Sequence, residues 1–294
     1  MTKLVFLLLT SLHLLGCRTD APLSNLKSNG STISTPTPID RLPDASDDVF
    51  LPWKQTVGTT EYRWDGEDFF VRRNKTREIG IFSQAARKHR SSFEKSGDKC
   101  SLDNFFTPSA VVGDLVSYEH ETGFGGDKCG VVSGEWRYAT VDTSDLTHFL
   151  DLRKWYKEDQ LLKAFVANQQ LASDIQKSIV SKKLNAIPTT LKELTSYLTR
   201  YDHEIYNGQS YFASDYLERF IFHRVEGEMI CIRVSATSTS NVGRAIHQYA
   251  EILLPIPESL RDFFRKADAG EAGFLMKDAA AKVGTKAALI ELTF

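Results

Sequence analysis

The chain has 294 residues, 41% of them hydrophobic and 25% charged, with a net charge of −2. That length can bury a substantial core, and the composition is that of an ordinary globular protein. It offers no basic excess of the kind that nucleic-acid binding needs, and its short basic run, Arg87-Lys88-His89-Arg90, reads as the exposed side of a helix.

Lys3 is followed by an apolar run from Leu4 to Leu15, interrupted by Thr10, Ser11 and His13. The run is too short to cross about 30 Å of hydrocarbon as a helix, which takes roughly 20 residues. It fits the apolar region of a secretory signal. It closes in Leu14-Leu15-Gly16-Cys17, which resembles a bacterial lipobox. The resemblance implies cleavage before Cys17 and acylation of that cysteine, so that residues 1–16 are a signal peptide. The plainer alternative is an ordinary cleaved signal with an incidental cysteine. Arg18, where an aspartate would mark inner-membrane retention, implies the outer membrane if the source is Gram-negative.

Residues 18–48 hold four of the nine prolines among many Ser, Thr, Asn and Asp residues. Such a segment buries too little apolar surface to offset its ordering entropy, so 17–48 reads as a lipidated cysteine and a disordered tether spanning about 30 Å.

The folded domain is expected over 49–294. Tyr62-Arg63-Trp64 and Phe69-Phe70-Val71 read as strands about an Asp-Gly turn, and Glu78 to Phe82 reads as another strand. Ser83 to Lys99 is polar and helical at best. Two strands, Ala110–Val112 and Leu115–Glu121, lead into a glycine-rich hairpin turn, Gly123 to Gly130, and then a strand from Trp136 to Asp142. Leu161, Phe165, Ala172, Ile175 and Ile179 recur at helical spacing, with Asp159 as a cap near the start. A second helix is expected over Thr190–Leu198. Arg219–Val225 and Met229–Val234 form a hairpin, and Ala245–Leu254 forms a strand. Glu258–Lys266 is a short helix and Ala287–Phe294 a last strand. Strand-rich blocks flanking helices predict an α+β fold, with a mainly antiparallel sheet and helices packed on one face.

With Cys17 lipidated, Cys100, Cys129 and Cys231 remain. Cys100 and Cys129 each follow an Asp-Lys pair in or beside a loop, and Cys231 alternates within a strand as a small buried hydrophobe. A Cys100–Cys129 disulfide is therefore preferred over a reactive thiol. It would close a loop of about 30 residues, stabilising by about 3–4 kcal/mol on the chain-entropy model.

Glu119, His120, Glu121, Asp127 and Cys129 are the densest set of potential ligands. Strand neighbours point to opposite faces, so only Asp127 or Cys129 could join His120, and no metal centre or cofactor is expected. His223 and His247 read as satisfied strand histidines rather than catalytic bases. The run Gly130 to Gly134 is not a nucleophile elbow, because Ser133 comes one position too late. No catalytic residue is assigned. Trp136 and Tyr138 share a strand face; exposed, they would stack on a sugar or a protein partner, and otherwise they fill a core.

The order of features resembles the extracytoplasmic domain shared by the lysozyme-sensing anti-sigma factor RsiV and the accessory region of the peptidoglycan deacetylase PdaC. The residues that carry the resemblance are Leu115 to Tyr118, Gly125-Gly126, Arg137 to Asp142, Leu150-Asp151-Leu152, the hairpin from Phe220 to Val234, and Leu253 to Leu260. It covers roughly residues 60–268 in loose form. Asp127-Lys128 replaces the family's Ala-His after the paired glycines. The resemblance implies a fold and an envelope setting. It carries over no activity, since the deacetylase chemistry belongs to another domain and the sensor acts by binding.

The resulting expectation is an envelope lipoprotein held to the membrane by its lipid, with a non-enzymatic domain. Its partner would be a secreted protein such as lysozyme, or peptidoglycan, and not nucleic acid. Weak binding candidates are His120, Gly125, Gly126, Asp127, Trp136 and Tyr138. The alternative is a peptidoglycan-modifying enzyme with its site around His120, Asp127 or His223.

Overall fold

The computed structural model describes residues 48–93, 101–125, 134–169, 171–172, 175–176, 179, 187–198, 200–202, 208–211, 215–235, 237–239 and 249–292. All belong to one compact unit, Ala45–Phe294. Among the described residues the fold is α+β and every strand pair is antiparallel.

Among the described residues the strands fall into four sheets. A small N-terminal sheet runs in the order β1 (Trp53–Val57), β2 (Thr60–Trp64), β3 (Phe69–Arg73), β4 (Ile79–Gly80). The largest sheet joins β5 (Ser101–Val112), β6 (Leu115–Gly125) and β7 (Gly134–Asp142). Two later strands, β14 (Gly273–Phe274) and β15 (Ala288–Leu292), pair with successive parts of β5. A third sheet is β10 (Phe220–Glu226), β11 (Met229–Ser235) and β13 (Tyr249–Pro255), and a fourth holds β8 (Arg200–Asp202), β9 (Gly208–Tyr211) and β12 (Thr237–Thr239).

The large sheet is covered on both sides, and its sequence pattern follows from that. Leu115 to Tyr118 is buried on both faces, whereas beyond it only His120 and Thr122 are buried and Glu119 and Glu121 are half-exposed. On one side Phe106, Val111, Val116, Tyr118, Ala139 and Val141 pack against Tyr62, Trp64, Phe69 and the helix α1 (Ile81–Phe93). On the other, Ala110, Val112 and Leu115 meet Phe220 and Phe222 of β10. A bulge between Pro108 and Ala110 switches the face of β5, and there a proline is tolerated inside a strand.

The third sheet turns Ile230, Ile232, Val234, Ile252 and Leu254 toward helices α2 (Glu158–Ala167), α3 (Leu191–Tyr197) and α4 (Arg261–Asp268), which supply Leu161, Phe165, Leu194 and Phe264. Its edge strand β13 would expose backbone acceptors. Asn168 Nδ2 donates to Glu251 O at 2.5 Å and Tyr156 Oη donates to Pro255 O at 2.8 Å. These side chains occupy positions where a stray strand would pair.

Several sequence expectations need correction. The stretch Glu78–Phe82 is strand only at Ile79–Gly80, and Ile81 opens α1. The buried carboxylate of Asp68 explains the switch, because it accepts the amides of Phe82 at 2.9 Å and Ser83 at 3.2 Å and so caps the helix from a distant turn. The helix expected through Ile179 is interrupted: α2 ends at Ala167, and Leu171, Ala172, Ile175 and Ile179 are helical again beyond Asn168. Asn168 takes an extended conformation, and its Oδ1 accepts the Leu171 amide at 3.0 Å, capping a new helical turn. Asp159 is no cap. It lies in the first turn of α2, where a carboxylate favours the helix dipole. Helix α5 (Met276–Val283) and strand β1 were not anticipated.

At the start of the unit, Val49 O accepts the amides of Thr285 at 2.7 Å and Lys286 at 3.1 Å. Gly284 allows this clasp with φ +79°, since a Cβ there would lie 1.8 Å from Val49 O. No helix among the described residues is long and apolar enough to cross a membrane.

Candidate functional site

The β6–β7 pair carries most of the residues singled out from the sequence, and its register divides them between two faces. His120 lies opposite Arg137, on the α1 side, while Glu119 and Glu121 lie opposite Tyr138 and Trp136 on the other.

His120 is 1% exposed. Its ring stacks on Phe106 with centroids 4.3 Å apart, and its Nε2 is 3.0 Å from Asn104 Oδ1. Asn104 donates through Nδ2 to the carbonyls of Leu102 and Ile290, so its Oδ1 accepts and His120 carries the proton on Nε2. Burial first, then the nearby Arg137 charge, holds the His120 pKa well below its ordinary value. His120 is thus a neutral core residue. As a surface binding residue it is corrected by its burial.

Trp136 and Tyr138 do share a face, with rings 4.6 Å apart, but each is 2% exposed. They pack with Ile221 and Met276. The stacking platform is therefore also corrected: this pair fills the junction between the large sheet and β10. The Trp136 indole donates to Glu119 Oε2 at 3.4 Å, and Ser235 Oγ accepts the Tyr138 amide at 3.0 Å.

Beyond that junction lies a charged network on the outer face of the third sheet. Glu251 is held by Arg224 at 2.7 Å and Arg233 at 2.9 Å. Burial opposes the charge on Glu251, yet these hydrogen bonds outweigh it and keep the pKa below the ordinary carboxylate value. Arg233 also lies 4.4 Å from the centre of the Tyr249 ring. His223 sits at the bulge of β10, with Nε2 3.5 Å from Glu251 and Nδ1 buried without a hydrogen-bond partner among the described residues. Burial, then Arg233, lowers its pKa to about 4. The carboxylate is already matched by two guanidiniums and the imidazole is neutral, so the geometry pins the hairpin. Cys231, buried beside them, is unbridged, and burial raises its thiol to about 11.

Gly125 ends β6, paired with Ser101. Cys17, Cys100, Gly126, Asp127, Cys129 and His247 lie outside the described residues. The described residues hold no cluster of three or more His, Cys, Asp or Glu suited to a metal.

One part of the large sheet was not anticipated from the sequence. Among the described residues, β10 covers the half of its outer face around Ala110, Leu115 and Thr140. On the remaining half Leu289, Phe105 and Glu121 lie side by side across three strands, with Glu291, Asp103 and Gly123 in the next row. Phe105 is 36% and Leu289 48% exposed. Around them stand Asp103, Glu119, Glu121 and Glu291. The signal was legible in principle: Leu102, Asn104 and Phe106 alternate with Asp103, Phe105 and Thr107, and only the first set is fully buried.

In comparisons with protein-family models, curated proteins and solved structures, nothing matched this chain.

Proposed function

We propose that this chain is a lipid-anchored envelope protein whose folded unit is a non-enzymatic binding module, taking a cationic secreted protein on the open half of the large sheet. The observation that carries this reading is the exposed Phe105–Leu289 pair among four carboxylates. Exposed apolar side chains that meet across strands mark contact surfaces more than isolated ones do. The acidic surround selects a basic partner and speeds its arrival. The anchor rests on the resemblance of Leu14 to Cys17 to a lipobox, and a lysozyme-like partner on the resemblance to the sensor domain.

The test is a binding titration of the full chain in detergent against lysozyme and, separately, soluble peptidoglycan fragments. Saturable lysozyme binding that weakens with salt supports the reading. Binding of the fragments alone would replace the protein partner with a glycan. Turnover of the fragments would favour an enzyme instead.

A further inference from the structure

The folded unit opens on a run of apolar residues that the core leaves at the surface. Val49, Phe50 and Leu51 are 50%, 38% and 36% exposed, and Pro52 beside them is exposed as well. Exposed apolar side chains such as Ile79, Phe263 and Leu253 belong to separate elements, β4, α4 and β13. Single ones are ordinary on a protein surface, whereas consecutive ones call for a contact.

The run forms a ridge along the clasp with Gly284. Phe50 and Gly284 make an antiparallel bridge, and Leu51 N donates to Val283 O at 3.3 Å. Val49 N donates to Thr285 Oγ1 at 3.2 Å. Pro52 has no backbone donor. The donors of Val49 and Leu51 are thus met within the fold, as entry into an apolar medium requires.

Neighbouring side chains of an extended segment point to opposite sides. Phe50 lies edge-on to Trp64 and over Gly66, where a Cβ would be 2.9 Å from its ring. Val49 and Leu51 face away from it. Exposed apolar surface therefore stands on both sides of one edge. A rigid partner covers one side of such an edge, whereas a fluid apolar layer closes around both.

The ridge also lies where the chain from Cys17 arrives. The tether read from the sequence ends at Asp48, one residue before Val49. It keeps the ridge within about 30 Å of a lipid on Cys17. Bilayer is then present at high effective concentration for apolar surface at the end of the tether.

We propose that Val49, Phe50 and Leu51 dock the folded unit onto the bilayer, entering the boundary between headgroups and acyl chains. This rests on the lipid anchor put forward above. Lys286, whose Nζ is 5.7 Å from the centre of the Phe50 ring, offers its ammonium to the headgroup phosphates while its stem stays with the apolar ridge.

The test uses the full chain, purified in detergent and reconstituted with phosphatidylcholine vesicles. Flotation with the vesicles reports the anchor. Quenching by lipid brominated near the top of its acyl chains reports the ridge, in Val49→Trp and Leu51→Trp, each read as a difference from the unsubstituted chain. Leu253→Trp, at an exposed position on β13, is the reference. In each ridge variant the added emission is expected to be blue-shifted and to fall by roughly half or more, since interfacial side chains sit about 5–10 Å into this layer. In Leu253→Trp it should fall little. Adding Leu51→Asp to Val49→Trp should abolish the quenching while flotation persists. If one ridge variant fails to fold, the other decides.

Flotation without quenching at either ridge position overturns the docking and leaves the anchor standing. So does equal quenching in Leu253→Trp, which would mark adsorption with no preferred face. Quenching that survives Leu51→Asp overturns it too, since nearness to the tether alone would then account for the signal. No flotation overturns the anchor and the docking together.

Discussion

Asp68 Oδ2 occupies the space where a side chain on Gly80 would begin, 2.0 Å from the position of a Cβ. The same carboxylate accepts the amides of Phe69, Phe82 and Ser83. A glycine at the strand-to-helix junction thus admits a buried cap, and the cap turns Ile81 onward into a helix. Gly80→Ala is expected to destabilise by about 1–3 kcal/mol through overpacking. Asp68→Ala should cost about as much by leaving buried amides unmatched. The two losses should not add, because both act on one contact. Denaturant unfolding of the single and double variants measures this, and full additivity would refute the coupling.

Trp136 and Phe105 are both aromatic residues of the large sheet, yet their faces predict opposite outcomes. Trp136→Ala should cost about 3–5 kcal/mol, since the indole is buried against Tyr138, Ile221 and Met276. Phe105→Ser should change stability by less than about 1 kcal/mol. Equal losses would mean that the open half-face is part of the core.

Acid should weaken the fold before its carboxylates titrate. Burial and a neighbouring arginine lower the pKa of His89 and of His223 to about 4, against roughly 6.5 in an unfolded chain. The unfolded chain therefore takes up protons that the native state refuses. Their contribution is full above about pH 6.5 and is lost as pH falls toward 4, by at most about 1.4 kcal/mol per pH unit for each histidine. Denaturant midpoints at pH 7.5 and 5.5 should differ in that direction, and His223→Gln should flatten the difference. A midpoint unchanged between the two pH values would contradict the assignment.

The anchor and the disulfide are tested on the protein itself. Palmitate label should be lost in Cys17→Ser. The unreduced chain should be about 2 Da lighter than its all-thiol mass if Cys100 and Cys129 are joined. Retained label, or a full complement of free thiols, sinks the respective reading.

Strand alternation and turn residues made the hairpin of β10 and β11, the strand at Trp136 and the α+β class legible in advance. The core at Cys231 was legible for the same reason. What was not legible depended on partners far away in sequence. Nothing at Ile81 itself announces the start of the helix, because its cap is Asp68. Asn168 inside a helical run looks harmless until its side chain is seen reaching Glu251 O. Pro108 hid the first half of β5, since a proline argues against a strand unless a bulge accommodates it. At the site, period-two alternation placed Trp136 and Tyr138 on one face, but only the packing of β10 shows that this face is covered there and open at Phe105.

The central claim is most directly tested by the affinity of the full chain for lysozyme before and after Phe105→Lys and Leu289→Lys. Both positions are exposed, so the variants should fold, and each places a positive charge where a cationic partner would sit. The account predicts saturable binding that weakens roughly tenfold or more in each variant and recovers none of the loss at low salt. Binding unaffected by both substitutions, or no binding by the unsubstituted chain, would contradict it.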